Sequence, residues 1–134
     1  SDPSRGLGDV YKRQTKQRLK IANILFEKNK TFHFSISELA NLIDKRYGDT
    51  VALATVYNTV HAFKNHGFLK EIAINSEHSY FDTNTTNHHH FYDIDKDELS
   101  DIENNDVSPI KIKKAIPGKK IKSIEVLVKI SSEN

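Results

Sequence analysis

The stretch Ala52-Leu53-Ala54-Thr55-Val56-Tyr57-Asn58-Thr59-Val60 decides the fold. Val56, Val60 and Phe63 recur at helical spacing, and His66-Gly67 supplies the stop that a glycine after a C-cap commonly gives. A helix is therefore expected over 54–65. Downstream, Leu69, Ile72 and Ile74 alternate, Asn75-Ser76-Glu77-His78 reads as a turn, and Ser79 to Asp82 is short and aromatic, so a hairpin should follow. Upstream, Ser35-Ile36-Ser37-Glu38 has the form of a capping box. A helix with Leu39, Leu42 and Ile43 inward should run from there to Gly48. A further amphipathic stretch, Lys16 to Lys28, carries Leu19, Ala22, Ile24, Leu25 and Phe26, with Thr15 as its expected N-cap. Three helices and a hairpin make the winged helix-turn-helix pattern, whose third helix enters the major groove of DNA.

The remainder has a different grammar. His88 to Ile94 and Glu98 to Ile102 read as strands, and Ser123 to Ile130 is strongly β-prone. Asn104-Asn105-Asp106 and Pro117-Gly118 mark turns, and Ile110 to Ala115 is open between strand and helix. The fold class is α+β: a winged helix over 15–83, then a small β-rich domain over 84–134. So small a sheet is marginal alone, which points to a homodimer formed through it. Residues 1–14 show no helical or strand period and resemble the translated adapter tails of metagenomic assemblies. They are expected to be a non-native or disordered leader, the alternative being a native arm that reaches toward DNA.

Composition narrows the function. The 134 residues include no cysteine, which removes disulfides, thiolate metal sites and cysteine nucleophiles together. No apolar run is long enough to cross a bilayer and no secretory signal is visible, so the cytoplasm is the expected compartment. From Thr15 to Phe81 nine Lys/Arg stand against six Asp/Glu, whereas from Asp82 onward eight stand against ten. A basic half joined to an acidic one suits a nucleic-acid reader attached to something else.

Two sets of residues carry the chemistry. On the third helix, Thr55, Tyr57, Asn58 and His61 offer hydroxyl, phenol, amide and imidazole groups. Asn58 is suited to a bidentate contact with adenine and Thr55 to a thymine methyl or a phosphate. Lys16, Arg18, Lys64 and Lys70 would supply charge for the DNA backbone. The bland reading of Tyr57 and His61 is an ordinary half-exposed helix face.

The second set is Asp82-Thr83-Asn84-Thr85-Thr86-Asn87-His88-His89-His90. On a strand His88 and His90 share one face and His89 takes the other. Two imidazoles and a nearby carboxylate suit Fe, Mn or Zn rather than a thiolate-preferring metal. Haem on the triple histidine is the other option, and structural histidines are the bland one. A metalloenzyme is disfavoured because the sequence places no second general acid or base. A haem or metal buffer would have the same histidines without specific DNA binding.

Leu53-Ala54-Thr55-Val56-Tyr57, Phe63 to Gly67 with Leu69, and Tyr80-Phe81-Asp82 resemble the Fur (ferric uptake regulator) family from Thr15 to about His90. That resemblance implies a dimeric transcriptional regulator that binds an operator in response to metal, with Thr55, Tyr57 and Asn58 on DNA. Many relatives have Arg where Asn58 stands, which implies a different operator. The resemblance also implies a sensory site at His33, Asp82, His88, His90 and Asp101. The Cys-x-x-Cys pairs that hold structural zinc in most relatives are absent here. Ala52 to Thr59 and the triple histidine resemble the iron response regulator branch, which implies haem at His88, His89 and His90. A metal-independent winged-helix repressor is the competing reading.

Overall fold

A computed structural model describes residues 3–48 and 51–133, so Ser1 and Asp2 of the leader lie outside the described residues. The chain divides into two compact units, Ser1–Thr85 and Thr86–Asn134.

In the first unit the elements run α1 (Pro3–Phe26), β1 (His33–Phe34), α2 (Ile36–Tyr47), α3 (Leu53–Asn65), β2 (Lys70–Ala73) and β3 (Ser79–Asp82). The sequence marks α2 most clearly, and each mark corresponds to an atom. The Ser35 side chain accepts the Glu38 N–H at 3.2 Å, and Glu38 reaches back to the Ser35 N–H at 3.5 Å. Gly48 closes the helix in the left-handed region at φ 68°, where a Cβ would be strained.

Two expectations for the helices need correcting. Pro3 to Gln14 is helical and continuous with α1, although it shows no period. Thr15 is therefore not a cap: its hydroxyl donates to the Tyr11 carbonyl, 2.9 Å away, inside the helix. The core of this unit centres on Ile21, Leu25, Phe34, Leu39, Ile43, Val56, Val60 and Phe81. Ile21, absent from the expected stripe, is fully buried, while Leu19 and Leu42 are 57 % and 42 % exposed. Position 21 precedes 25 by one helical turn, whereas 19 falls on the opposite side.

The hairpin is part of a three-stranded antiparallel sheet in the order β1-β3-β2. β1 is only two residues long, too short for any alternation to show. It is held by register pairs His33 to Asp82 and Phe34 to Phe81. The Phe34 and Phe81 rings stack with centroids 6.0 Å apart. This pairing brings the segment before α2 onto the wing, which the sequence did not signal.

The second unit contains β4 (His89–Asp93), β5 (Glu98–Ile102), a short 3-10 turn at Asn104–Asp106, and β6 (Leu127–Ile130). Its sheet has the order β5-β4-β6, with β4 and β5 antiparallel and β4 and β6 parallel. The parallel pairing requires a long return, and residues 110–115 lie in that return without regular structure. Tyr92, Leu99 and Ile102 are its buried apolar side chains.

Candidate metal centre and DNA-reading surface

In the second unit, β4 and β5 bring three metal-ligating groups together. His88, His90 and Asp101 present donor atoms within 4.8 Å of one another. His90 and Asp101 are register partners across the β4–β5 ladder. His88 stands one residue before β4 and His90 within it, and their ring centroids lie 4.3 Å apart. Each Nε2 approaches the same Asp101 oxygen, at 3.3 Å from His88 and 3.2 Å from His90.

That spacing matches the needs of a cation. Ligand atoms about 2.0–2.2 Å from one ion stand roughly 3–3.6 Å apart across a tetrahedral or octahedral edge. The tautomer of His88 agrees. Its Nδ1 lies 2.8 Å from the Thr86 carbonyl, which accepts and never donates, so Nδ1 carries the proton. Nε2 of a neutral ring then offers a lone pair rather than an N–H. This is how a carbonyl behind the ring orients a ligating histidine.

His89 differs from its neighbours. Its Nδ1 accepts the Val126 N–H at 2.9 Å, which ties β4 to the approach of β6. A neutral ring that accepts at Nδ1 has its proton on Nε2, which leaves no lone pair for a metal or haem iron. The three histidines therefore split: His88 and His90 meet Asp101, and His89 is turned toward the approach of β6.

Two more of the expected ligands, Asp82 and His33, belong to the first unit, where they are cross-strand neighbours. The Asp82 carboxylate is buried at 1 % exposure and accepts the Asn84 N–H at 2.8 Å. Lys70 is its register partner on the other side. Burial pulls the Lys70 ammonium below its ordinary value, and the Asp82 charge opposes that fall. Lys70 is half-buried at the base of the wing.

On α3, Tyr57 is 52 % exposed and Asn58 is exposed, whereas Thr55 is half-buried. Residues two apart on a helix do not share a side, so Thr55 is not beside Tyr57. The Thr55 carbonyl accepts the buried Thr59 hydroxyl at 2.7 Å. His61 is a packing residue at least in part: its ring lies 4.2 Å from the Tyr57 ring and 5.4 Å, edge-on, from Phe81. Lys64 is committed to the wing. Its Nζ lies 2.7 Å from Glu71, whose other oxygen accepts the Ser79 hydroxyl at 2.7 Å. The Lys64 bond, aided by Ser79, holds the Glu71 carboxyl below its ordinary value against the opposing cost of burial. Lys16 and Arg18 are exposed on α1. Sequence reasoning missed Glu71, because an acid on a strand gives no sign of the lysine it will meet.

Comparisons with known proteins agree with this architecture. The family model described as "Ferric uptake regulator family" matches residues 10–130. The peroxide-responsive repressor PerR of Staphylococcus epidermidis is 32 % identical over 78 residues, 58 % of this chain and 50 % of that protein, so the chain spans half the length of the curated relative it matches. A ferric uptake regulator from Francisella tularensis, solved with iron, superposes with a TM-score of 0.64 at 16 % identity, over 87 % of this chain and 88 % of that one. The Campylobacter jejuni peroxide stress regulator gives 0.60 at 19 % identity, over 100 % and 98 %. At such identities these structures establish the fold.

Proposed function

The chain belongs to the ferric uptake regulator family, and from that premise we propose that it is a homodimeric, DNA-binding transcriptional regulator that responds to a divalent metal ion. The observation that carries the reading is the His88, His90 and Asp101 triad, with its ligand-like spacing, on the same chain as a winged helix. We assign His33 and Asp82 to the same ion. Only five residues of chain separate Asp82 from His88, and His33 is held beside Asp82 by β1. An ion that takes ligands from both units would favour one arrangement of them, and so couple metal occupancy to operator binding. Nitrogen and oxygen donors suit Fe, Mn or Zn.

Tyr57 and Asn58 are the exposed candidates for base contact on α3, with Thr55 on the side of Asn58 one turn earlier. A dimer places two such helices on a roughly palindromic site. Loss of a bidentate Asn58 contact should cost about 1–3 kcal/mol and relax choice at one base pair.

The finer reading, haem sensing by the triple histidine, has less support, because His89 accepts a backbone N–H at the nitrogen that faces β6. A haemin titration tests it: a Soret band lost when His88, His89 and His90 are replaced by Ala would bring it forward. For the metal reading, the purified chain is tested on a random duplex library with Mn²⁺, Fe²⁺ or Zn²⁺ present or chelated. Selective retention that needs the ion and is lost in His90→Ala is the expected result. Selective retention indifferent to every ion would reduce the histidines to architecture.

A further inference from the structure

The acidic second half of the chain conceals a basic run. Between Val107 and Ile124 stand six lysines (Lys111, Lys113, Lys114, Lys119, Lys120 and Lys122) and no Asp or Glu. From Thr86 to Asp106 the balance reverses, with seven acids against one lysine. Summed over the whole region, the two blocks erase each other.

The run follows the Asn104–Asp106 turn and reaches β6 without a helix or strand of its own. Pro109, Pro117 and Gly118 interrupt any helix, and the β-branched isoleucines disfavour one. Connections of this length without structure are uncommon in compact domains and are usually functional or linkers. Every residue from Ser108 to Ser123 is exposed. Even its large apolar side chains are out, with Ile116 at 68 % and Ile121 at 59 %. Only the ends of the arm, Val107 to Ile110 and Ile124, line a cleft with His89 and Asn104 of its own unit, and none of the six lysines makes an ion pair with a described residue.

The acids of the same unit are largely engaged elsewhere. Asp93 accepts the Asp95 and Lys96 amides, Asp95 accepts the Ser132 amide, and Asp97 accepts the Tyr92 hydroxyl. Asp101 faces the two histidines. The Asp95 carboxyl is held below its ordinary value by the Ser132 bonds, and the Tyr92 phenol is raised above its own by Asp97. Glu98, Glu103, Asp106 and Glu133 remain and Glu125 is already engaged, four acids against six lysines, so a second copy of the unit would leave part of the arm's charge unanswered.

A polyphosphate answers all of it. Duplex DNA carries one negative charge per about 1.7 Å of axis, and uninterrupted basic blocks commonly serve as nucleic-acid arms. We infer that residues 107–124 form a basic arm that binds the phosphate backbone of duplex DNA beside the operator, an inference that rests on the regulator reading above. Contacts to phosphate carry no sequence information, so the arm adds affinity and salt dependence without altering which operator is chosen.

The test compares the full chain with a variant in which all six lysines are Ser, and a second in which all six are Arg. The probes are a random-sequence duplex and a library-selected one, titrated at several salt concentrations. Each neutralised phosphate contributes about 0.9 to the slope of log affinity against log salt. The Ser variant should flatten that slope by about 3 or more on both probes and leave the preference between them unchanged. The Arg variant should keep the full slope. An unchanged slope in the Ser variant overturns the arm and leaves the regulator reading intact. A Ser variant that becomes monomeric where the full chain is dimeric assigns the lysines to a second copy and also overturns it. A full chain without operator preference whose slope on random duplex still depends on the six lysines would retain the arm and refute the regulator.

Discussion

The two units are stabilised by different means. The first gathers a continuous core in which Ile21, Leu39, Ile43, Val56 and Val60 are completely buried. The second sets only Tyr92, Leu99 and Ile102 inside a three-stranded sheet and leaves the long return to β6 exposed. Burial of apolar area is the main stabilising term in small domains, at about 25 cal/mol per Å². The first unit therefore has the larger share of this term, and the second has less of it to hold its sheet. Under the proposed function that difference would be used: the winged-helix unit would present its reading helix on a firm core, and the smaller unit would be the one whose order an ion changes most.

The sharpest way to break the comparison is a core truncation in the first unit. Leu39→Ala removes a fully buried side chain from α2 and should cost about 2–5 kcal/mol. Urea unfolding of the full chain, followed by helical signal, measures it. A loss below 1 kcal/mol would mean that the core of this unit is not what holds it together.

Metal should act in the opposite place. At an ion concentration about 100 times its dissociation constant, binding stabilises the folded form by about 2.7 kcal/mol. In hydrogen exchange, Mn²⁺ should slow the amides of β4 and β5 much more than those of α3. His90→Ala should abolish the gain. Equal protection of α3 and of β4 and β5 in the presence of Mn²⁺ would erase the proposed division of labour.

Legibility in the sequence followed the same division. Helix α2 could be read to its ends because its signals are local: Ser35, Glu38 and Gly48 each act within a few residues. The recognition helix was legible for the same reason. Strand β1 was not, since His33 and Phe34 become a strand only by meeting Asp82 and Phe81, some fifty positions away. The histidine pair was legible through strand alternation, but the demotion of His89 depends on Val126, which no local pattern reveals. The lysine arm was present in the letters and lost in the averaging of charge.

The N-cap of α2 offers a smaller test of how local that order is. Ser35→Ala leaves the Glu38 N–H without its side-chain acceptor and should cost about 1 kcal/mol. Ser35→Asp should restore most of it, because either oxygen can accept the same bond. Since β1 ends one residue earlier, at Phe34, a loss much larger than 2 kcal/mol would show that the cap also anchors the wing sheet.

The smallest expected effect concerns the clamp between α3 and the wing. Glu71 joins Lys64 on the helix to Ser79 on β3, and its carboxyl lies below the ordinary value chiefly because of Lys64. A lowered folded-state pKa means stabilisation that is fully present above the ordinary carboxylate value. It fades as pH falls through the lowered one. The pair is partly solvated, with the Lys64 side chain 37 % exposed, so solvent screening limits it to about 1 kcal/mol at most. Glu71→Gln should therefore lower stability slightly near neutrality and not at all in acid, where the wild-type carboxyl is also uncharged. Stability against pH for the two proteins should converge as the solution is acidified. Curves that stay parallel would assign the loss to packing, since a neutral amide oxygen can still accept the Ser79 hydroxyl, and not to the Lys64 charge. The distinction matters for reading DNA. A clamp that works through charge ties Lys64 to the wing, whereas one that works through packing leaves Lys64 available for a phosphate.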